Sequence, residues 1–222
     1  MSTVAIAHRA GNSLAGLHEA NVLGVDVIEC DIHHHRGRLE VRHLKTAGPL
    51  PFLWDRWELA SASAPRLGLQ ELLEADRHGT TFMLDLKGWG TGVGAAVSQL
   101  LHESGHDRPV MVCGRHWPDV EALARLAHVW PVLSARRPRE LAALAHRLPG
   151  RSFHGVSVHR SLLDAEVVSR LRRHVPLVMS WPINDVPSID RMIGMGVEGI
   201  ISDEPAVLAE VLRRRGRPHP ER

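Results

Sequence analysis

The sequence predicts a small α/β protein of the (β/α)8 (TIM) barrel class, in which each of eight parallel strands is followed by a helix. Short apolar runs alternate with longer amphipathic runs along the whole chain, and eight of each kind can be counted. The short runs are apolar on both faces, as strands covered by crossover helices must be. The length of 222 residues lies at the small end of the range for such barrels. A doubly wound open sheet is the alternative, but the eight regular repeats and the lack of a glycine-rich dinucleotide fingerprint disfavour it.

The predicted strands and helices alternate strictly. Strands are expected at 3–8, 26–32, 80–87, 109–114, 128–134, 153–159, 175–181 and 199–203. Helices are expected at 12–24, 67–78, 91–104, 118–127, 138–147, 164–174, 187–196 and 204–214. Pro138 and Asp164 are typical helix starts, and Gly196 is a typical helix end. One long connection, residues 33–66, is expected to hold a short β segment at 38–44 and then a polar, proline-containing loop.

Composition indicates one soluble domain and excludes several classes of protein. Hydrophobic residues make up 44% of the chain, so residues 1–214 are expected to share one core, with a disordered basic tail at 215–222. A net charge of +2 and an aromatic content of 4% do not suit a nucleic-acid-binding surface. No stretch approaches the ~20 apolar residues of a membrane span, and the start does not resemble a secretory signal. Cys30 and Cys113 fit buried strand positions rather than a disulfide, so a cytoplasmic location is expected.

Carboxylates in the second and third strands predict a metal site. Glu29 and Asp31 point to the same face because side chains alternate along a strand, and two like charges on a buried face need a compensating cation. Asp85 lies in the next strand of the barrel. Three carboxylates favour one hard divalent cation, Mg²⁺ or Ca²⁺, over zinc. For any single carboxylate the alternative is a buried ion pair, such as Asp85 with Lys87 or Glu29 with Arg9.

Other polar residues are expected where the strands end, because the chemistry of such barrels gathers at that face. His8 and His43 can accept and donate a proton near neutral pH, whereas Arg9 and Lys87 can neutralise an anionic substrate. Together with Trp181, at the end of the seventh strand, these two cations form the predicted substrate-binding set. The remaining polar residues at strand ends are His159, Arg160, Asn184 and Asp203. A metal, two histidines and two cations around one pocket describe phosphoryl chemistry.

Two further groups of residues are not expected to take part in catalysis: the histidine triplet and the side chains that could act as nucleophiles. The histidine triplet at 33–35 is assigned to a solvated loop, because consecutive residues in an extended stretch cannot all face one metal. No well-placed serine, cysteine or threonine is expected at the strand ends near Glu29 and Asp85, and Ser202, the nearest candidate, is expected to face the helices. The attacking group is therefore expected to be water or the substrate's own hydroxyl, and the latter gives a cyclic phosphate.

Several segments resemble the glycerophosphodiester phosphodiesterase family. They are "AHRAGNSLAGL", "GVDVIECDI", "VRH", "FMLDLKG", "VMSWPIND" and "GVEGIISDEP", and they run in order from residue 5 to about residue 208. The resemblance implies a barrel phosphodiesterase with its metal on the three carboxylates. It also implies that His8 and His43 form the acid/base pair and that Arg9 and Lys87 lie near the phosphate.

The sequence departs from the family pattern at four places. Only Asn12 remains of a Pro-Glu-Asn motif before the first helix, and the loop there is shortened. His43 is followed by Leu44, where the family has an aspartate. Asp85 replaces a glutamate, and its Asp-Leu-Lys setting is more similar to the related phospholipase D barrels of spider venom. The insertion that caps the site in many relatives is reduced to residues 33–66.

We therefore expect a metal-dependent phosphodiesterase that acts on a small-molecule glycerophosphodiester or a lysolipid, without nucleic acid and without an integral membrane segment. One alternative is a barrel that has lost catalysis and only binds a phosphorylated ligand or lipid. The other is a Schiff-base aldolase that uses Lys87.

Overall fold

The computed structural model describes residues 3–48, 50–55, 58–88 and 90–215, so all but the first residue of the expected basic tail lies outside the described residues. The strands are β1 (Val4–Ala7), β2 (Val27–His35), β3 (Arg38–Val41), β4 (Lys45–Thr46), β5 (Phe52–Asp55), β6 (Glu58–Ser61), β7 (Thr81–Lys87), β8 (Val110–Gly114), β9 (Val129–Ala135), β10 (Gly155–His159), β11 (Leu177–Trp181) and β12 (Gly199–Ser202). The helices are α1 (Leu14–Leu23), α2 (Leu69–Ala75), α3 (Val93–Glu103), α4 (Trp117–Leu123), α5 (Pro138–Arg147), α6 (Ala165–Arg172), α7 (Val186–Gly194) and α8 (Pro205–Arg214).

Eight of the strands form a closed parallel barrel, which confirms the predicted fold class. Their order around the ring is β1, β2, β7, β8, β9, β10, β11 and β12, and β12 pairs with β1 to close it. Each barrel strand overlaps a predicted strand, and each of the eight helices overlaps a predicted helix. The predicted helix start at Asp164 is also confirmed, because its side chain accepts a 2.8 Å hydrogen bond from the N–H of Val167 at the start of α6.

Side-chain alternation divides the core into two parts. The larger part fills the space between the strands and the helices. The smaller part plugs the barrel interior and consists of Ile6, Val27, Met83, Met111, Cys113, Val132, Leu177, Met179 and Ile201. Glu29 and Asp31 follow Val27 at alternate positions, and Asp85 follows Met83. All three carboxylates therefore point into the barrel above this plug.

The connection at 33–66 is more ordered than the sequence predicts. Strand β2 continues through the histidine triplet, where His33 pairs with Glu40 and His34 with Leu39 of the antiparallel strand β3. The expected β segment at 38–44 is confirmed at Arg38–Val41, but the assignment of the triplet to a solvated loop is wrong. The physical reason is that β3 offers a partner for the backbone hydrogen bonds of the triplet.

The expected polar loop after β3 is also wrong in part. Strands β4, β5 and β6 form a three-stranded antiparallel sheet, called here the small sheet. It has an apolar cluster of its own, made by Leu44, Leu53 and Ala62.

Among the described residues, no helix is long and apolar enough to cross a membrane.

Candidate active site

The three predicted carboxylates meet at the carboxyl end of the barrel. Asp31 on β2 lies directly opposite Asp85 on β7 in the parallel register. One oxygen from each of Glu29, Asp31 and Asp85 can be chosen so that all three lie within 4.8 Å of one another. Glu29 and Asp31 are 2% and 1% exposed, so water does not screen their charges. This is a group of oxygen ligands that could hold a metal ion.

Asn12 fixes Asp31 with two hydrogen bonds. Its Nδ2 donates to Oδ2 of Asp31 over 2.8 Å, and its Oδ1 accepts from the backbone N–H of Asp31 over 2.8 Å. A one-turn 3₁₀ helix, Ala10–Asn12, carries it, and this helix lies close against β2. A Cβ atom at Gly11 would lie 2.8 Å from Cβ of Cys30, so this close approach requires glycine.

Lys87 enters the carboxylate cluster from the end of β7. Its Nζ lies 2.6 Å from Oδ1 of Asp31 and also contacts Oδ2 of Asp85. Burial lowers the pKa of Lys87, but the charges of Asp85, Asp31 and Glu29 outweigh it and hold the pKa well above its usual range. Burial raises the pKa of Asp31, but Lys87 and the hydrogen bonds from His43, Lys87 and Asn12 hold it well below its usual range. The ion pair of Asp85 with Lys87 that the sequence offered as an alternative is thus present.

Glu29 is the least compensated member of the cluster. Burial and the charge of Asp31 raise its pKa to about 7. Its Oε2 accepts a 2.6 Å hydrogen bond from the backbone N–H of Arg9. Arg9 has a φ of 57°, in the left-handed region, and this conformation follows the end of β1. The contact between Glu29 and Arg9 is therefore a backbone hydrogen bond and not the ion pair considered from the sequence.

The cluster suits a hard divalent cation. Oδ1 of Asp31 is buried and has a positively charged neighbour, Nζ of Lys87, at 2.6 Å. The raised pKa of Glu29 marks a carboxyl group whose ionised form lacks sufficient positive charge nearby. Three oxygen donors without histidine or cysteine match the preference of magnesium or calcium. The residues present thus fit the ion that the sequence predicts.

His8 lies between the cluster and the last barrel strand. Its Nδ1 is 2.7 Å from Oδ1 of Asp203, and its Nε2 is 4.0 Å from Oε2 of Glu29. Asn184 donates to the other oxygen of Asp203 over 3.1 Å. Burial lowers the pKa of His8, but the hydrogen bond to Asp203 and the charges of Glu29 and Asp203 raise it above its ordinary value. The hydrogen bond from His8 lowers the pKa of Asp203 to about 2.

His43 lies on the other side of the cluster. Its Nδ1 is 3.2 Å from Oδ2 of Asp31, and its Nε2 is 2.8 Å from Oδ2 of Asp55 on the small sheet. The side chain of His43 is 32% exposed, so the ring borders both the cluster and solvent. The structure thus brings both predicted histidines to the carboxylates, each next to a different one.

The three predicted substrate-binding residues, Arg9, Lys87 and Trp181, have different surroundings. Lys87 lies inside the cluster, and Nε of Arg9 is 3.8 Å from Oδ2 of Asp31 with the Arg9 side chain 41% exposed. Trp181 packs edge-to-face on His159, with the ring centroids 5.2 Å apart, and packs against the interior cluster of the barrel. Arg160, another strand-end candidate, instead contacts Asp185 and Ser188 at the start of α7.

Four residues contribute to the site without having been assigned to it from the sequence. Asp203 and Asn184 lie at predicted strand ends, but the sequence pattern assigns them no role. Asn12 stood in a shortened motif, which was the signal that could have identified it. No feature of the sequence indicates Asp55, because the sequence predicts a loop in place of the small sheet that carries it.

The site combines three chemical features. The carboxylates can hold a cation, Lys87 and Arg9 carry positive charge for an anionic group, and two histidines can exchange protons beside them. Each histidine has one ring nitrogen held by an aspartate outside the cluster. This arrangement is suited to acid/base chemistry at a phosphate group.

The comparison with known proteins agrees with this chemistry. The model of the glycerophosphoryl diester phosphodiesterase family matches residues 83–207. Among curated proteins, none matches the chain.

Solved structures share the fold at low sequence identity. A phosphodiesterase of Oleispira antarctica in complex with the product sn-glycerol-3-phosphate has a TM-score of 0.74 and 18% identity, over 94% of this chain and 96% of that one. A glycerophosphodiester phosphodiesterase of Thermotoga maritima has a TM-score of 0.73 and 16% identity, over 95% and 99%. One from Parabacteroides distasonis has a TM-score of 0.69 and 20% identity, over 97% and 98%.

Proposed function

This chain belongs to the glycerophosphoryl diester phosphodiesterase family and is a phosphoric diester hydrolase, and we propose that it cleaves glycerophosphodiesters or lysophospholipid-like diesters with a divalent cation and two catalytic histidines. The observation that carries this proposal is the position of His8 and His43 on either side of the carboxylate cluster. His8 approaches Glu29, and His43 approaches Asp31.

Proton transfer is the proposed role of the two histidines. In the reaction, a hydroxyl of the substrate next to the phosphate attacks phosphorus, and the bond from phosphorus to the second alcohol breaks. One histidine takes the proton of the attacking hydroxyl, and the other gives a proton to the oxygen of the departing alcohol. Asp203 supports this role by holding Nδ1 of His8, which leaves its Nε2 directed toward the cluster.

The cation site is proposed to consist of Glu29, Asp31 and Asp85, with Mg²⁺ or Ca²⁺ as the ion. When bound, a divalent ion supplies positive charge that polarises a phosphate oxygen. The support for this site is that one oxygen from each of the three carboxylates lies within 4.8 Å of the others and that Glu29 and Asp31 are buried. Asn12 keeps the carboxylate of Asp31 in place for that purpose.

Substrate binding is proposed for Arg9, Lys87 and Trp181. The guanidinium of Arg9 is partly exposed and lies beside the cluster, where it can contact a phosphate oxygen. Lys87 adds a second positive charge and holds Asp31 and Asp85 in place. Trp181 lies at the end of β11, where its indole ring is proposed to contact the glycerol or alcohol part of the diester.

Intramolecular attack forms a cyclic glycerol phosphate, and glycerol-3-phosphate is the proposed final product, formed when a water molecule attacks the cyclic phosphate and one P–O bond of the ring breaks. The Oleispira antarctica phosphodiesterase was crystallised with sn-glycerol-3-phosphate as its product, which supports the same product here. The Schiff-base alternative is disfavoured because the high pKa of Lys87 keeps its amine protonated and therefore a poor nucleophile.

A screen of diesters with both products identified tests the proposed function. Purified protein with Mg²⁺ or Ca²⁺ is incubated with glycerophosphocholine, glycerophosphoethanolamine and lysophosphatidylcholine, and the phosphorylated product and the alcohol are identified by NMR and mass spectrometry. Release of an alcohol is expected, together with glycerol phosphate from the two glycerophosphodiesters and acylglycerol phosphate from lysophosphatidylcholine, or with the cyclic forms of these products. Binding of these diesters without turnover under either metal would instead favour the binding-only barrel.

A further inference from the structure

Asp55 contacts His43 from outside the barrel. Its Oδ2 lies 2.8 Å from Nε2 of His43, and its strand β5 is the central strand of the small sheet. In the described part of the chain, this sheet pairs with no barrel strand. His43 is therefore held between two separate sheets, by Asp31 on β2 and by Asp55 on β5.

The two histidines share one arrangement. In His8, the nitrogen nearer the cluster is 4.0 Å from Glu29, and the other nitrogen is 2.7 Å from Asp203. In His43, the nitrogen nearer the cluster is 3.2 Å from Asp31, and the other is 2.8 Å from Asp55. Each ring thus has an inner nitrogen toward the carboxylates and an outer nitrogen on an aspartate. An aspartate on the outer nitrogen fixes the plane of an imidazole ring and its tautomer.

The packing of the small sheet explains why Asp55 reaches His43. Leu53 and Asp55 lie two residues apart on β5, so they point to the same face of the sheet. Leu53 is fully buried and packs in one cluster with Leu44, the residue that follows His43. The chain thus has a leucine beside His43 as an apolar anchor, and the anchored strand supplies the carboxylate.

We propose that Asp55 is a positioning residue for His43, and this inference rests on the proton-transfer role proposed for that histidine. His43 is 32% exposed, and among the described residues it has one further carboxylate contact, at 3.2 Å. Loss of Asp55 leaves the ring able to rotate about its Cβ–Cγ bond and to turn away from the cluster. The small sheet thereby becomes part of the active site, although none of its strands belongs to the barrel.

Substitution of Asp55 tests this role against a matched control. Glu58 pairs with Asp55 across the small sheet and is exposed, so Glu58→Gln removes the same charge from the same sheet without touching His43. With glycerophosphocholine and Mg²⁺, Asp55→Ala is expected to lower kcat about 10–100-fold with little change in KM. Asp55→Glu is expected to recover part of the loss, and Glu58→Gln is expected to match the unmodified protein.

A double-mutant cycle separates this inference from the proposed function. In a His43→Asn background, Asp55→Ala is expected to cause no further loss of kcat, because there is no ring left to position. An inactive His43→Asn variant together with an unchanged or faster Asp55→Ala variant overturns the positioning role alone. Full activity of His43→Asn overturns the proposed function of His43 and the inference that rests on it.

A structural readout covers the case in which glycerophosphocholine is not turned over. Imidazole ¹⁵N NMR reports which ring nitrogen is hydrogen-bonded, and the His43 signals are assigned by their loss in His43→Asn. Asp55→Ala is expected to shift the Nε2 signal of His43, whereas Glu58→Gln is expected to leave it in place. An Nε2 signal that is identical in Asp55→Ala and the unmodified protein contradicts the contact itself.

Discussion

Nζ of Lys87 lies 2.6 Å from Oδ1 of Asp31, beside the position proposed for a divalent cation. A metal ion bound at the proposed site would therefore compete with the side-chain ammonium for the same buried carboxylate oxygen. The ammonium partly balances the three negative groups when no metal is bound. A metal ion bound beside Asp31 is therefore expected to add to the stability of the fold.

Metal binding is expected to stabilise the protein through Asp31. At a hundredfold excess over Kd, a ligand specific for the native state adds about 2.7 kcal/mol. Thermal unfolding with Mg²⁺ or Ca²⁺ against EDTA is expected to show a rise in Tm that Asp31→Asn abolishes. Asp107→Asn, at an exposed aspartate, is the control and is expected to keep the rise. A Tm that does not respond to millimolar metal contradicts the cation site.

Removal of Lys87 is expected to make the fold more dependent on metal. Lys87→Met leaves Asp31 and Asp85 without their ammonium partner. The side chain of Lys87 is 30% exposed, so the loss without metal is expected to be on the order of 2 kcal/mol, below the value for a fully buried pair. Urea unfolding in EDTA and in Mg²⁺ measures it, and the variant is expected to gain more from metal than the unmodified protein. An equal gain in both proteins means that Lys87 does not compete with the ion.

The two histidines are expected to be essential for turnover but not for stability. His8→Asn and His43→Asn are each expected to lower kcat by about 10²–10⁴ while Tm changes little. His18→Asn, at an exposed position on α1, serves as the control. Variants of the triplet at 33–35 are less suitable controls, because its pairing within β2 makes them a test of strand stability. Near-normal kcat in His43→Asn would remove that residue from the mechanism.

Asp203 is expected to set the titration of His8. Because the pKa of His8 is raised and that of Asp203 is lowered to about 2, their pair stabilises the fold fully between about pH 3.9 and 6.5, the ordinary values of the two groups. This stability is lost as pH rises through the raised pKa of His8 or falls toward that of Asp203. In EDTA, Asp203→Asn is expected to lower the pKa of His8 seen by NMR. Its free energy of unfolding is expected to differ most from that of the unmodified protein at pH 5–6. An unchanged His8 titration contradicts this coupling.

The barrel could be predicted from the sequence because each of its strands is an apolar run separated from the next by a helix. The position of Asp203 beside His8 follows from ring closure, which pairs the end of β1 with the end of β12. The small sheet could not be predicted, because each of its strands has four residues or fewer and contains polar residues among the apolar ones. The contact of Asp55 with His43 was missed for the same reason, since it depends on tertiary packing through Leu53.

The last prediction concerns the group that attacks phosphorus. Ser202 is 1% exposed and bonds to Asn184 and to the N–H of Glu204, so its hydroxyl is engaged away from the cluster. Cys113 faces the barrel interior opposite Asp85, but burial raises the pKa of its thiol well above the ordinary value and keeps it protonated. The hydroxyl next to the phosphate on the substrate needs no separate positioning, and intramolecular attack gains several kcal/mol from this. A cyclic phosphate is therefore expected as the first product. A deoxy analogue of glycerophosphocholine without that hydroxyl is expected to bind without reacting. Cleavage of this analogue at a comparable rate, with solvent ¹⁸O in the first-formed product, would show direct attack by water.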